Sequence, residues 1–336
     1  MDRIPVYVGL DYHQRAVQVC VVDRTGRVLC NRSCANDWAA IRELAERFGT
    51  VAGAAIESCT GAADLAEELV GLAGWSVDLA HPGYVSRMKQ NPDKHDMGDA
   101  HLLADLERVG YVPRVWLAPA EVRELRRLVR YRQQLVDHRR DCKLRVSALL
   151  REQRVGVAPA QAWTQRWCRW LRGLADLSPQ SRWVIARQEE WIERLTGEIR
   201  VVEERMRELT RADPLVQQLL KQPGVGEVTA WMLRAEIGRF DRFRSGKQLS
   251  RFCGLSPRNA SSGARQADAG LIKAGNKYLR AVLLQAAHRL ARHDPRWRAL
   301  AGALRQRGKP GSVIAAAVAN RWVRWLFYQV NTCAAA

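Results

Sequence analysis

Short apolar runs open the chain. Residues 4–10 (IPVYVGL) end at Asp11, and residues 16–22 (AVQVCVV) run into the turn Asp23-Arg24-Thr25-Gly26, with Arg27–Cys30 beyond it. Three such runs joined by tight turns predict an antiparallel meander. In residues 37–48 the apolar positions Trp38, Ile41, Leu44 and Phe48 share one helical face, with Asp37 as N-cap. Residues 51–56 (VAGAAI) predict a buried strand ending at Glu57, 62–73 a helix, and 75–80 (WSVDLA) another strand. A helix follows, with Asp93 as the expected N-cap, and continues over 101–110 until Tyr111-Val112-Pro113-Arg114 breaks it.

Beyond Pro119 the period becomes helical throughout. Residues 120–153 predict one long helix, with Leu125, Leu128, Leu135, Cys142, Val146 and Leu149 as its apolar stripe. Trp163, Trp167 and Trp170 form a second stripe, which reads as core or interface rather than a base-stacking platform. Residues 182–211 predict a second long helix whose seam is Trp191, Leu195, Ile199, Val202, Met206 and Leu209. The two long helices pair antiparallel within the chain or between protomers. Residues 215–237 place Pro223-Gly224-Val225-Gly226 between two helices, the pattern of a helix-hairpin-helix. Its backbone N–H groups at Gly224 and Gly226 suit a phosphate; a plain helical hairpin is the bland alternative.

The order of the first seven elements, β-β-β-α-β-α-β and then a helix, is that of an RNase H-like (RuvC-like) α/β fold. A long helical, coiled-coil middle and a mainly α C-terminal domain complete the expected architecture. The expected divisions are 1–112, 113–212 and 213–336. In this order Asp11 and Glu57 end adjacent strands, while Asp96 and Asp99 share the face of a helix start. Convergent carboxylates are costly without a cation, and Mg²⁺ is the hard ion that prefers oxygen ligands. His13 and His95 flank the acids as neighbours or phosphate contacts. Each acid alone also reads as a cap or turn residue.

Charge adds a division. The 336 residues carry a formal net charge of +19. Residues 1–100 hold 10 basic and 14 acidic side chains, and the remainder holds 44 and 21. A basic back half suits nucleic acid, although Arg-rich coding bias also raises such a count. Residues 121–154 hold 11 basic against 5 acidic side chains. Arg126, Arg127, Arg130, Arg139, Arg140 and Lys143 are therefore candidates for a phosphate backbone, or for a solvated helix face. The eight cysteines form no C-x-x-C pair, no His lies at a zinc-like spacing from a Cys pair, and a reduced protein fits better than a disulfide scaffold; Cys20 and Cys59 read as buried thiols. No uncharged run is long enough to span a membrane and no signal peptide is evident, so the expectation is a cytoplasmic protein.

In the last third, Ser261-Ser262-Gly263 lies in a polar loop between helical segments, flanked by Arg258 and Arg265 and followed by Lys273, Lys277 and Arg280. A hydroxyl there can attack phosphorus if its proton is removed and the developing charge is stabilised.

The stretches YVGLDYHQ, AIESCTG, KHDMGDA, PGVG, GLSPRNASSG and GLIKAGNKYLR, in this order, resemble the insertion-sequence transposases with an N-terminal RuvC-like DEDD domain and a C-terminal serine domain. That group includes the Piv-type DNA invertases. The resemblance covers nearly the whole chain and is weakest over about 155–185. It implies an Mg²⁺-dependent DNA recombinase in which Asp11, Glu57, Asp96 and Asp99 hold metal. Ser262 would be the nucleophile that forms a phosphoserine link to DNA. It further implies donor and target DNA as substrates, a bridge RNA as guide, and dimers assembling into tetramers with composite sites. Location would be the bacterial cytoplasm, on the nucleoid when active. The sequence departs from the pattern at Ala264, where many relatives have Gly, and at Lys94-His95-Asp96, where Lys-Thr-Asp is commoner. Ser261 remains the rival nucleophile. Two other readings are a RuvC-like structure-selective nuclease using water and a non-catalytic nucleic-acid-binding protein.

Overall fold

The structure, a computed structural model, describes residues 4–89, 95–259, 268–272 and 275–334. Two compact units divide between Pro119 and Ala120.

The first unit is a mixed sheet covered on both faces. Its elements are β1 (Pro5–Tyr12), β2 (Ala16–Val22), β3 (Val28–Ala35), α1 (Trp38–Glu46), β4 (Thr50–Glu57), α2 (Ala62–Leu72), β5 (Val77–Ala80), α3 (Pro82–Met88), α4 (Asp96–Arg108) and β6 (Arg114–Val115). Sheet order is β3-β2-β1-β4-β5-β6. The meander β1-β2-β3 is antiparallel, while β4 runs parallel to β1 and β5 parallel to β4. This arrangement is consistent with the RuvC-like DEDD fold expected from the sequence. The two-residue β6 at the far edge was not expected from the apolar pattern.

Strand alternation sorts the side chains. Val6, Val8 and Leu10 of β1 join Ile41 and Leu44 of α1 and Leu65 and Leu69 of α2 in one core. Gly9 and Asp11 point to the opposite face, where Ala100 and Ala104 of α4 pack with Cys20 and Val22. Because both faces of β2 are covered, its sequence is an almost unbroken apolar run. Asp37 caps α1 as expected, its carboxylate accepting from the Ala40 N–H.

The second unit is mainly helical. It comprises α5 (Ala120–Glu152), α6 (Gln165–Arg172), α7 (Pro179–Thr210), α8 (Pro214–Leu220), α9 (Glu227–Glu236), α10 (Gly246–Phe252), β7 (Pro257–Asn259), β8 (Asp268–Leu271), α11 (Lys277–His293), α12 (Pro295–Gln306) and α13 (Gly311–Ala334). The division expected at 212/213 falls inside this unit. Helices α5 and α7 lie antiparallel within the chain. Arg132 bonds Glu203, Arg139 bonds Thr196, and the Ser178 N–H donates to Gln153. Leu195, Ile199, Val202 and Met206 are buried as expected, but Trp191 and Leu209 are exposed. Trp163, Trp167 and Trp170 pack with Val146, Leu150 and Ile185, so they are core residues. The strands β7 and β8 pair antiparallel. No helix among the described residues is long and apolar enough to cross a membrane.

Candidate metal centre and basic surfaces

Two periodicities bring the acids together. Gly9, Asp11 and His13 alternate along and just beyond β1, so they share a direction. Asp96, Ala100 and Ala104 stand four residues apart on α4, so they share a helix face. A Cβ at Gly9 would overlap the Ala100 carbonyl oxygen and the Ala104 backbone nitrogen, which is the close approach that only glycine permits. One turn further along, Asp96 therefore lies over Asp11. His13 Nε2 sits between them, 3.4 Å from Asp11 Oδ2 and 3.2 Å from Asp96 Oδ2. One donor atom from each of the three lies within 4.8 Å of the others.

The other two acids are placed differently. Leu10 pairs with Ile56, so Glu57 on β4 neighbours Asp11 at the same edge of the sheet. Asp99 is bound by Lys89, just after α3, with Nζ 2.7 Å from Oδ2. Both side chains are largely buried, at 24% and 13% exposure, so this ammonium already balances the Asp99 charge. Cys59 is exposed, not buried as expected, because it follows the end of β4 rather than lying within it. Partial desolvation, and then the negative charge of Glu57 and Asp11, push its thiol above the usual range.

The start of α4 also differs from expectation. His95 occupies the N-cap position, and its side chain makes no capping bond. Asp93, the expected cap, lies outside the described residues. The donor set of carboxylate oxygens with one imidazole nitrogen fits a divalent cation. Sequence reasoning had placed His13 only beside the site, and it missed Lys89 and Gly9. The alternation from Asp11 was the available signal for His13.

The basic candidates separate by their partners. Arg126 Nε donates to the Ala235 carbonyl at 2.9 Å, and burial lowers its guanidinium below the usual range. Arg130 pairs with Glu236 at 3.1 Å, and Arg139 donates to Thr196 at 3.1 Å. These three have structural partners inside the helical unit. Arg127 and Arg140 are exposed, and among the described residues they pair with neighbours on their own helix, Glu124 for the first and Asp137 and Asp141 for the second. Lys143 lies over the Trp163 ring and Lys277 over the Tyr278 ring. Arg258 on β7 is exposed, and Arg280 lies on the first turn of α11. Ser261, Ser262, Arg265 and Lys273 lie outside the described residues.

The turn Pro223–Gly226 separates α8 from α9. Gly224 has φ +83°, and a Cβ there would come 2.8 Å from Leu290. With Arg289, His293 and Pro295 the turn lines a concavity of about 500 Å³.

Comparison with known proteins adds lineage to this geometry. A model of the IS110-type DEDD transposase domain matches residues 8–154, and a model described as the transposase IS116/IS110/IS902 family matches residues 216–301. The chain is 30% identical to a probable family 20 transposase of Pseudomonas aeruginosa PAO1, over 97% of both proteins. It is 26% identical to the transposase for insertion sequence element IS1111A of Coxiella burnetii, over 95% of this chain and 88% of that one. Similarity to the transposase for insertion sequence element IS1328 of Yersinia enterocolitica is 27% over 69% of each.

Proposed function

The chain belongs to the IS116/IS110/IS902 family of transposases, and from that premise we propose that it cuts and rejoins DNA through a covalent serine intermediate assisted by Mg²⁺. The observation that carries this reading is the approach of Asp96 to Asp11 across His13, at the edge of the sheet where Glu57 also ends. Asp11, Glu57, Asp96 and Asp99 are the residues that would hold the metal. When bound, Mg²⁺ would offset the charge that develops on the scissile phosphate and favour the deprotonated nucleophile.

Ser262 supplies that nucleophile. Its Oγ bonds to phosphorus as the bond from phosphorus to one deoxyribose oxygen breaks. The serine proton leaves to a base, and the departing deoxyribose oxygen ends as a hydroxyl. Rejoining reverses this step with a hydroxyl of the new partner strand, which restores the serine. Bond energy is held in the phosphoserine link, so no nucleotide cofactor is required.

The remaining parts of the reading follow from charge and shape. The Pro223–Gly226 turn, read as a helix-hairpin-helix, presents backbone N–H groups to a phosphate. Arg127, Arg140, Lys143, Arg258, Arg265, Lys273, Lys277 and Arg280 hold the donor and target DNA and a bridge RNA. Trp183 and Trp191, exposed on α7, support pairing of protomers into dimers and then tetramers. The working division remains a metal domain over 1–112, a helical dimerisation region over 113–212 and a serine domain over 213–336. The protein would act on the bacterial nucleoid.

The decisive experiment traps protein–DNA adducts on denaturing gels. Ser262→Ala should abolish the adduct and leave DNA binding largely intact. Adducts that persist in Ser262→Ala but vanish in Ser261→Ala would move the nucleophile by one residue. Hydrolysed ends with no adduct in the wild type would favour a water-using nuclease, and full activity of Asp11→Asn would remove the metal site.

A further inference from the structure

We propose that His13 is itself a ligand of the divalent cation, a nitrogen donor beside Asp11 and Asp96, and that it tilts the site toward Mn²⁺ over Mg²⁺. This rests on the metal-site reading above but adds a residue outside the four acids.

The backbone of His13 is fixed from two sides. Its N–H donates to the Ala16 carbonyl at 3.0 Å, closing the β1–β2 turn. Its carbonyl accepts from Asn36 Nδ2 at 3.0 Å. A side chain that continues the alternation of Gly9 and Asp11 is thus delivered to the Asp11 face, and its position does not depend on a free loop.

The spacing is that of ligands sharing one ion. Donors about 2.1 Å from a metal stand about 3.0 Å apart at a right angle and about 3.4 Å apart in a tetrahedron. The observed separations from Nε2 are 3.2 Å and 3.4 Å. One ring nitrogen carries at most one hydrogen, so it cannot satisfy two carboxylate oxygens with two straight hydrogen bonds. A cation between the three groups can take a lone pair from each. Asp99, meanwhile, already has its charge balanced by Lys89, and His13 is the group whose donor atom stands within 4.8 Å of those of both Asp11 and Asp96.

Chemistry then sets the preference. Mg²⁺ favours an all-oxygen shell and keeps its waters, whereas imidazole suits transition-metal ions, whose affinities rise along the first row. A site with one nitrogen among its donors gains more with Mn²⁺ than with Mg²⁺.

The test uses the full chain without nucleic acid. Mn²⁺ is titrated by electron paramagnetic resonance, and the bound ion is examined by pulsed methods for coupling to ¹⁴N. The wild type should show ¹⁴N coupling, lost in Asp11→Asn with the ion itself. His13→Gln should lose the coupling and bind Mn²⁺ about tenfold more weakly. His13→Asp, an all-oxygen set, should bind Mn²⁺ without ¹⁴N coupling and lower the Mn²⁺/Mg²⁺ affinity ratio. The side chain is 44% exposed, so both variants should keep the wild-type circular dichroism. Bound Mn²⁺ that responds to Asp11→Asn yet shows no ¹⁴N coupling, or coupling that survives in His13→Gln, overturns the His13 assignment and leaves the acidic site standing. Binding that is indifferent to Asp11→Asn overturns both.

Discussion

Gly9 lies directly beneath Ala100, where α4 crosses β1 with no room for a methyl group between them. That contact sets the height of α4 over the sheet, and with it the height of Asp96 over Asp11.

Gly9→Ala should therefore damage both fold and site. The added carbon meets backbone atoms of Ala100 and Ala104, which cannot rotate away as a side chain would. Overpacking of this kind costs about 1–3 kcal/mol, and more when backbone must move. Urea denaturation of the first unit should show a lower midpoint, and Mn²⁺ affinity should fall because Asp96 is displaced. An unchanged affinity in a destabilised variant would mean that α4 does not set the acidic spacing.

Lys89 is expected to compete with metal for Asp99. Lys89→Gln removes a positive charge close to the acids and releases an oxygen donor. At the effective dielectric near a protein surface, removing such a charge should raise Mn²⁺ affinity by roughly threefold to tenfold. Without metal the variant should be less stable by about 1–3 kcal/mol, because Asp99 loses its charged partner. A fall in Mn²⁺ affinity would instead make Lys89 the group that holds Asp99 in place for the ion.

Glu107 gives the first unit a pH dependence of its own. Burial first, and then the neighbouring Asp78 carboxylate, raise it from the usual 4.5 to about 7. A folded-state value above the unfolded one means that the folded protein binds the extra proton. This contribution to stability is full below about pH 4.5 and is lost as pH rises through about 7. Glu107→Gln should flatten the wild-type decline over that window, as read from thermal midpoints in a pH series. A decline of equal steepness in the variant would place its origin elsewhere.

Much of the first unit was legible because its strands are covered on both faces. The runs IPVYVGL and AVQVCVV needed no knowledge of partners, and Asp37 announced its helix by ordinary capping chemistry. The two-residue β6 carries no periodicity and exists only because it pairs with β5, so it was not legible. The acids were visible as strand ends and a helix start. The convergence of Asp11 and Asp96 on His13 was not, because it depends on the contact of Gly9 with α4. The basic stripe of α5 showed the same limit. Charge was readable, but which arginines turn inward depends on α7 and α9, whose docking the local pattern does not encode.

That division of the arginines separates stability from binding. Arg127 is exposed and its partner Glu124 is on the same helix, so Arg127→Ala should change stability by less than about 0.5 kcal/mol. If the residue meets a phosphate, nucleic-acid affinity should fall, and the slope of log affinity against log salt should shrink by about one. Arg126→Ala removes a part-buried bond to the Ala235 carbonyl, and Arg130→Ala removes the partner of Glu236, which is only 8% exposed. Each should cost about 1–2 kcal/mol in stability. Their salt slopes, measured where the protein is fully folded, should match the wild type. Competition binding at four salt concentrations, beside urea titration of the same three variants, reads both quantities. A reduced slope for Arg126→Ala with unaltered stability would return that residue to the nucleic-acid surface and make its contact with α9 incidental.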